Sequence, residues 1–218
     1  SSAASDVYKR QMACGGNDSK DYWGDTSGGE DEEPTENPNA SKPRYIWIDA
    51  AANFPDFANS KENIARDLAL AKDAGFTDIV VDVRPTTGDV LFKTNLVDQV
   101  KFMYAWIGSN YTKVERTATW DYLQAFVDEA RKQGLRIHAA INTFVGGNQI
   151  DGGTGLLYRD QSKAEWATQM NMQVGITSVM NTSESTKFFN PAHPEVQTFL
   201  CDLLKDLAGY DLDGIFLD

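Results

Sequence analysis

The chain has 218 residues, 41% of them hydrophobic, which is enough for one core of ordinary size or for part of a larger one. Its net charge of −12 and isoelectric point near 4.6 argue against a nucleic-acid partner, because phosphate binding needs clusters of Lys and Arg that the sequence lacks. No run of about 18 apolar residues occurs, so the sequence predicts no membrane-spanning helix.

The first 42 residues have the composition of a tail rather than of a folded domain. Residues 1–13 are predicted to be a cloning scar joined to the remnant of a signal segment, since residues 1–11 resemble translated adapter sequence. Residues 14–42 contain eight acidic residues and two lysines among Gly, Ser, Asn and Pro, which predicts a disordered acidic tether.

Cys14 lies at the start of this tether, after Met12 and Ala13 and before two glycines. This pattern is similar to the end of a bacterial lipoprotein signal, where the cysteine becomes the lipidated first residue. We therefore expect an extracytoplasmic protein, on the cell surface or in the periplasm, that reaches the membrane only through a lipid anchor. An incidental cysteine in a tail is the alternative.

From residue 44 onward, short apolar runs alternate with helical periodicity. The runs predict four strands, at residues 44–50, 76–85, 135–144 and 212–218. Helices are predicted between them, at residues 60–75, 119–134 and 193–210. Ser60 is a suitable N-cap for the first helix, and Gly75 and Gly134 are suitable C-terminal glycines. This alternation predicts an α/β fold with a parallel sheet, either an open sheet or a (β/α)8 barrel.

Polar side chains at the ends of the predicted strands favour the barrel with a site at one end. No Gly-rich phosphate loop follows the first strand, which argues against a dinucleotide-binding sheet. Parallel-sheet enzymes bind ligands at the carboxyl ends of their strands. The polar residues at or near these ends are Asp49, Asp82, Arg84, His138, Asn142 and Asp218. For any one of them, a loop cap is the alternative interpretation.

Four motifs occur in a fixed order, "VDVRPTTGDVLFKT", "GLRIHAAIN", "FFNPAHPEV" and "YDLDGIFLD". Together they resemble the glycosyl-hydrolase-like family 10, a group of (β/α)8-barrel relatives of glycosidases. The resemblance implies that residues 43–218 are the N-terminal half of a TIM barrel that is truncated after its fourth strand, because a closed barrel needs eight βα units. A fragment of this kind is expected to be inactive by itself.

The resemblance also implies roles for individual residues. Asp218 matches the presumed nucleophile, and its acid/base partner is expected on a later strand, beyond residue 218. No cofactor or metal is implied. Three positions depart from the family pattern: Asp82 replaces Gln, Ala140 replaces a large aromatic residue, and Phe216 replaces His. The candidate substrate-binding residues are Asp49, Asp82, Arg84, Asp89, His138, Asn142 and Asn190.

The leading functional hypothesis is a glycoside hydrolase that acts on an extracytoplasmic polysaccharide or on peptidoglycan glycan strands. A catalytically inactive, glycan-binding surface lipoprotein is the alternative, favoured by Ala140 and Phe216. A metal-dependent hydrolase would use Asp82, His138 and Asp218 as ligands. Several aromatic residues could stack on sugar rings, although such residues also pack cores; they are Trp47, Tyr104, Trp106, Tyr111 and Trp166.

Two structural expectations accompany these hypotheses. Arg84 should form an ion pair with Asp82, Asp218 or Asp49, because a buried Arg at a barrel mouth needs a partner. Gly214 shares a strand face with Asp218 and should leave space there for a ring or a side chain from an opposite strand.

Overall fold

A computed structural model describes residues 42–173 and 175–218 of the chain. The predictions for residues 1–41, including the scar, the lipidation of Cys14 and nearly all of the tether, lie outside the described residues. The fold below is that of Arg44–Asp218.

A four-stranded parallel sheet forms the centre of the fold, and each strand lies within a segment that the sequence predicts. Its strands, in chain order, are β1 (Tyr45–Ile48), β2 (Asp78–Arg84), β3 (Arg136–Ile141) and β4 (Gly214–Leu217). Their order across the sheet is the same as their order along the chain. A doubly wound sheet reverses its strand order near the middle, whereas a barrel does not, so this strand order matches the barrel type of α/β fold and not the doubly wound type.

Three helices connect the strands and cover one face of the sheet. They are α1 (Lys61–Asp73), α2 (Tyr122–Gln133) and α3 (Pro194–Leu207). Ser60 caps α1 by accepting a hydrogen bond from Asn63 N at 3.1 Å, as predicted. Gly134 ends α2 in the left-handed conformation, at φ 64°, which a glycine adopts without strain. The helices bury residues at helical spacing, such as Leu123 and Phe126 of α2, against the sheet.

The strand register divides the sheet residues between two faces. The helix-covered face contributes apolar residues to the core, among them Ile48, Ile79, Val81, Ile137 and Ala139. The opposite face is called the inner face here. It carries Tyr45, Trp47, Val80, Asp82, His138, Ala140, Phe216 and Asp218. Its large residues Tyr45, Trp47 and Phe216 are 48%, 47% and 38% exposed, so this face is only partly covered.

The loops at the carboxyl ends of the strands carry the remaining elements. A hairpin between β2 and α2, which the sequence analysis did not predict, consists of Phe102–Ile107 and Asn110–Glu115. Short helices are Phe54–Phe57 and Leu156–Arg159, with 3-10 turns at Ile150–Gly152, Gln161–Trp166 and Val179–Asn181. Further short strands are Val145–Asn148 with Thr186–Phe188 and Gln169–Met172 with Gly175–Ser178. Within residues 42–173 and 175–218, no helix combines the length and the hydrophobicity of a membrane span.

Candidate functional site

A cavity of about 140 Å³ lies at the carboxyl ends of the four parallel strands. Three carboxyl groups face it from three different strands, those of Asp49, Asp82 and Asp218. The rest of its wall is Trp47, Ala51, Pro85, Thr86, Met103, Ala140, Ile141 and Asn142. The structure therefore brings together four of the predicted site residues, Asp49, Asp82, Asn142 and Asp218, where a parallel sheet binds its ligands.

Asp82 is the most deeply buried carboxyl group of the cavity, at 7% exposure. Its Oδ1 accepts a hydrogen bond from the backbone N–H of Arg84 at 3.1 Å. Burial raises the pKa of Asp82 to about 7, and the negative charges of Asp49 and Asp218 act in the same direction. Hydrogen bonds from the backbone N–H groups of Arg84 and Ala50 oppose this rise. Asp82 therefore carries a proton for much of the time near neutral pH.

Asp49 and Asp218 differ in what their carboxylates bind. Asp49 Oδ1 accepts hydrogen bonds from Ala51 N at 2.8 Å and Ala52 N at 2.6 Å, so it caps the loop after β1. Asp218 is held by its backbone, which donates to Ile141 O at 3.0 Å and accepts from Thr143 N at 2.9 Å. Among the described residues, no hydrogen-bond donor is recorded for its carboxylate. Both oxygens of the Asp218 carboxylate are thus left to interact with a ligand, whereas Asp49 keeps one such oxygen, its Oδ2.

Asn142 and Met103 complete the cavity from neighbouring loops. Asn142 Nδ2 donates to Arg84 O at 3.0 Å, which fixes the amide at the end of β3. Met103, which the sequence analysis missed, comes from the hairpin between β2 and α2. The signal that predicts this hairpin is an aromatic and apolar run at residues 102–107, followed by Gly108-Ser109 and by the strand-favouring residues Tyr111, Thr112 and Val114.

Arg84 does not form the ion pair that the sequence analysis predicts. It is completely buried, and its guanidinium donates to the backbone carbonyls of Asn142, Thr143 and Val145. The cause is a β-bulge: Asp82 pairs with Ala140, but Arg84 pairs with Ile141, which belongs to the opposite face. Arg84 therefore fixes the loop after β3. Burial lowers its pKa to about 10, so it remains charged at neutral pH.

His138 lies on the predicted face of β3 but not at the predicted level. It is four residues before Asn142, about 13 Å lower along the strand. Its Nε2 lies 2.8 Å from Asp78 Oδ1, at the amino-terminal end of β2. The metal site that would combine His138 with Asp82 and Asp218 is therefore not assembled. In the described part of the chain, no group of three or more His, Cys, Asp or Glu side chains could hold a metal ion.

Gly214 leaves space for a ring, as predicted, but the ring belongs to His138 on the neighbouring strand and not to an opposite strand. A Cβ atom at Gly214 would lie 2.5 Å from His138 Nδ1. The imidazole packs against Tyr45 and Phe216, with ring centroids 5.5 and 5.7 Å away. This aromatic layer lies below the cavity, on the inner face.

Asp89 and Asn190 lie outside the cavity, and local hydrogen bonds satisfy both. Asp89 is buried and accepts from Arg159 Nη1 and Nη2 at 2.5 and 2.8 Å, which links the loop after β2 to the loop after β3. Burial raises the pKa of Asp89, and the hydrogen bonds from Arg159 oppose the rise. Asn190 Oδ1 accepts from Ala192 N at 3.0 Å in the turn that begins α3.

Two grooves are larger than the cavity, at about 500 and 790 Å³. The first is lined by residues 94–99 and by Gly155, Leu156 and Arg159. The second lies between residues 93–101, residues 116–121 and Asp206 of α3. Neither contains a strand-end carboxylate of the central sheet. We therefore assign the site to the smaller cavity, since location at the strand ends is a better guide to chemistry than volume is.

Comparison with known proteins agrees with this arrangement. The sequence model of the family described as Glycosyl hydrolase-like 10 matches residues 42–218. A curated relative, an S-layer-related protein of Niallia circulans, is 30% identical over 179 residues, which cover 79% of this chain and 11% of that protein. The chain thus spans about a tenth of the length of this relative.

Solved structures of glycosidases resemble the chain at low sequence identity. An alpha-L-fucosidase isoenzyme 2 from Paenibacillus thiaminolyticus has a TM-score of 0.53 and 18% identity, over 81% of this chain and 23% of the fucosidase. An alpha-galactosidase from Thermus thermophilus has a TM-score of 0.48 and 14% identity, over 81% of this chain and 30% of that enzyme. The likeness to the fucosidase shows the fold alone, an α/β arrangement of the TIM-barrel type.

Proposed function

The chain belongs to the glycosyl hydrolase-like 10 family, and we propose that it is the half of a glycoside hydrolase barrel that carries the catalytic nucleophile, Asp218. The observation that carries this proposal is the cavity at the carboxyl ends of the strands, where three carboxyl groups converge. Of these three, and within the described residues, the Asp218 carboxylate is the one that accepts no hydrogen bond. A glycosidase needs a carboxylate that is free to attack or to stabilise the sugar in this way.

The half-barrel part of the proposal is supported by the sheet. Its four strands follow the chain order, as the strands of a (β/α)8 barrel do. The inner face exposes Tyr45, Trp47 and Phe216, which a closed barrel would bury against four further strands. The acid/base partner of Asp218 would come from that second half, and the half described here would be inactive by itself.

Asp82 supports the same chemistry because its raised pKa keeps it partly protonated near neutral pH. A glycosidase keeps one carboxyl group ionised beside another whose pKa is raised, because two carboxylates at close range do not both ionise readily. With its pKa at about 7, Asp82 adds less than a full negative charge beside Asp218 at neutral pH. The full negative charges of the cavity are then those of Asp49 and Asp218, of which Asp49 caps the loop after β1.

The substrate that we propose is an extracytoplasmic polysaccharide or the glycan strand of peptidoglycan. The net charge of −12 favours a neutral polymer over a strongly anionic one. The relative from Niallia circulans is an S-layer-related protein, which supports a location at the cell surface. Attachment through a lipid on Cys14 would keep the site on the outer side of a membrane.

Substitution of the nucleophile tests the proposal. In a polypeptide that contains the complete barrel, Asp218→Asn should fold and bind glycan, while the release of reducing ends from peptidoglycan or polysaccharide falls by several orders of magnitude. Asp128→Asn, on the exposed face of α2, is the matched control and should be fully active. Turnover by Asp218→Asn close to that of the wild type would refute the assignment.

Binding of glycan without hydrolysis is a second candidate function, and one observation favours it. Backbone N–H groups bind Oδ1 of Asp49 and Oδ1 of Asp82, so Asp218 is the carboxylate of the described half that has no such contact, where a glycosidase needs two available carboxyl groups. A complete barrel that binds glycan but releases no reducing ends from any polymer would decide for this candidate.

A further inference from the structure

The hairpin of Phe102–Ile107 and Asn110–Glu115, called the aromatic hairpin below, exposes a row of aromatic rings on one face. The register pairs Trp106 with Tyr111 and Tyr104 with Lys113, so the side chains of these residues share that face. The ring centroid of Tyr111 lies 5.4 Å from that of Tyr104 and 5.3 Å from that of Trp106. We call the rings of Phe102, Tyr104, Trp106 and Tyr111 the ring ladder.

The ring ladder is firmly supported, although its outer members face water. The other face of the hairpin buries Met103 and Ala105, at 5% and 3% exposure, against the body of the protein. On the ladder side, Asp151 accepts a hydrogen bond from Tyr104 Oη at 3.0 Å and pairs with Lys113 Nζ at 2.6 Å. Asp151 makes both contacts from a left-handed backbone conformation, at φ 49°, which is uncommon outside glycine.

The two aromatic side chains at the outer end of the ladder, Trp106 and Tyr111, are more exposed than residues that serve only to pack the hairpin would be. Trp106 is 68% exposed and Tyr111 is 57% exposed, although both are large aromatic residues. A two-stranded hairpin needs cross-strand pairs for stability, but buried or smaller side chains would provide them without leaving apolar surface in water. Clustered exposed aromatic residues of this kind mark interaction surfaces.

The groups around the rings indicate what the surface binds. Its rim is polar, with Lys113, Glu115 and Asp151 next to the rings, so the ligand should combine flat apolar faces with hydroxyl groups. Single-stranded nucleic acid also stacks on aromatic rings, but it needs a positive groove, and Lys113 on this face is already paired with Asp151. A pyranose ring has an apolar face and a hydroxyl edge, and it carries no charge.

The position of the hairpin relates the ring ladder to the cavity. Met103, on the buried face of the hairpin, is part of the cavity wall. Trp106 follows it by three residues, about 10 Å along the strand, with its side chain on the opposite face. The ring ladder is therefore close to the cavity but is separate from it.

We propose that the ring ladder is a secondary binding surface for a neutral glycan polymer, on which Trp106 and Tyr111 stack against pyranose rings. The inference rests on the proposed action on a glycan, and it adds a second point of attachment for long chains. When a polymer is bound at the cavity, the rest of its chain is present at a high effective concentration near the ring ladder, so binding at both sites is tighter than at either one. A short oligosaccharide that fills only the cavity gains nothing from the ladder.

Binding by the 218-residue chain, measured without any need for turnover, tests this inference. The probes are purified peptidoglycan, chitin, starch and xylan in co-sedimentation, together with a soluble trisaccharide cut from whichever polymer is retained. Trp106→Ala and Tyr111→Ala should each weaken retention of the polymer by roughly five- to tenfold and leave trisaccharide affinity unchanged. Ile107→Ala is the matched control, because Ile107 is 48% exposed on the same strand but on the other face.

Trp47→Ala, in the cavity wall, should weaken binding of the trisaccharide as well as of the polymer. The inference is wrong if the wild-type chain retains none of the four polymers, or if Trp106→Ala retains them as well as Ile107→Ala does. It is also wrong if Trp106→Ala weakens the trisaccharide as much as the polymer, because the hairpin would then belong to the cavity. A change of oligomeric state in Trp106→Ala with unchanged retention would identify a protein contact instead. None of these results depends on whether Asp218 is a nucleophile.

Discussion

Asp82→Asn is the substitution that most directly tests the electrostatics of the cavity. Asp82 is buried between Asp49 and Asp218 and accepts a hydrogen bond from Arg84 N. Asn has almost the same shape as a protonated Asp, and its side-chain oxygen can accept the same hydrogen bond. The substitution therefore keeps the packing and removes only the ability to ionise.

The expected effect follows from the raised pKa. In the unfolded chain Asp82 titrates near its ordinary value of 3.8, and in the folded chain it titrates at about 7. Between these values the folded state binds a proton that the unfolded state has lost, so the free energy of unfolding falls as the pH rises. This contribution is complete below pH 3.8 and is lost as the pH passes 7. This difference between the two pKa values lowers the free energy of unfolding by about 4 kcal/mol over the whole pH range, and by about 3 kcal/mol from pH 5 upward.

Urea denaturation of the wild type and of Asp82→Asn at a series of pH values from about 5 to 8 measures this contribution. The variant should gain about 3 kcal/mol relative to the wild type over that range, or roughly 6 to 12 °C in melting temperature for a domain of this size. Asp128→Asn, on the exposed face of α2, should follow the wild type to within about 0.5 kcal/mol at every pH. Parallel pH profiles for Asp82→Asn and the wild type would show that Asp82 is ionised in the fold, and the reasoning would be refuted.

Three further substitutions test the structure and the anchor. Arg84→Lys loses the planar fork that binds the carbonyls of Asn142, Thr143 and Val145, so it should destabilise the fold by about 3 kcal/mol in urea denaturation. Arg66→Lys, at an arginine side chain that is 57% exposed, should change stability by less than about 0.5 kcal/mol, and equal effects of the two would contradict the role of Arg84. Gly214→Ala should lower the free energy of unfolding by about 1 to 3 kcal/mol, because the new methyl group would collide with His138. Asp78, Tyr45 and Phe216 contact the imidazole and hold it in place. An unchanged stability would show that the ring is free to move. Behind a lipoprotein signal segment, Cys14→Ser should move the protein from the membrane fraction to the soluble fraction, and retention in the membrane would exclude the lipid anchor.

The sequence predicts the central fold well because its strands and helices carry strong local signals. The four strands are short apolar runs, and the helices have apolar stripes with Ser60 and Gly134 at their ends. These signals depend on neighbours within one turn or one strand. The aromatic hairpin also has such a signal, an aromatic and apolar run followed by Gly108-Ser109 and a second strand-favouring segment, although the prediction above did not include it.

The sequence places a site residue correctly only where its side chain keeps the regular alternation between the two sheet faces up to the end of the strand. Asp49, Asp82, Asn142 and Asp218 meet as expected. Arg84 does not join them, because a β-bulge shifts its pairing by one residue and places it on the other face. No local sequence pattern predicts this bulge. His138 has the predicted parity, but parity does not give the depth along a strand, and Asp78 binds it at the opposite end. For Asp89 and Asn190, a satisfied loop was the better interpretation.

Closure of the proposed barrel would increase the difference in ionisation between Asp82 and the other carboxyl groups of the cavity. Four further strands would cover the exposed rings of Tyr45, Trp47 and Phe216 and remove water from the inner face. Desolvation disfavours the charged form of a carboxyl group, so the pKa of Asp82 would rise further unless the second half brought a cation. A carboxylate at Asp218 would then need a donor that the described half does not provide. The second half should therefore supply both the acid/base residue and a hydrogen-bond donor or cation for Asp218, and a completed barrel that offers neither would favour glycan binding without hydrolysis.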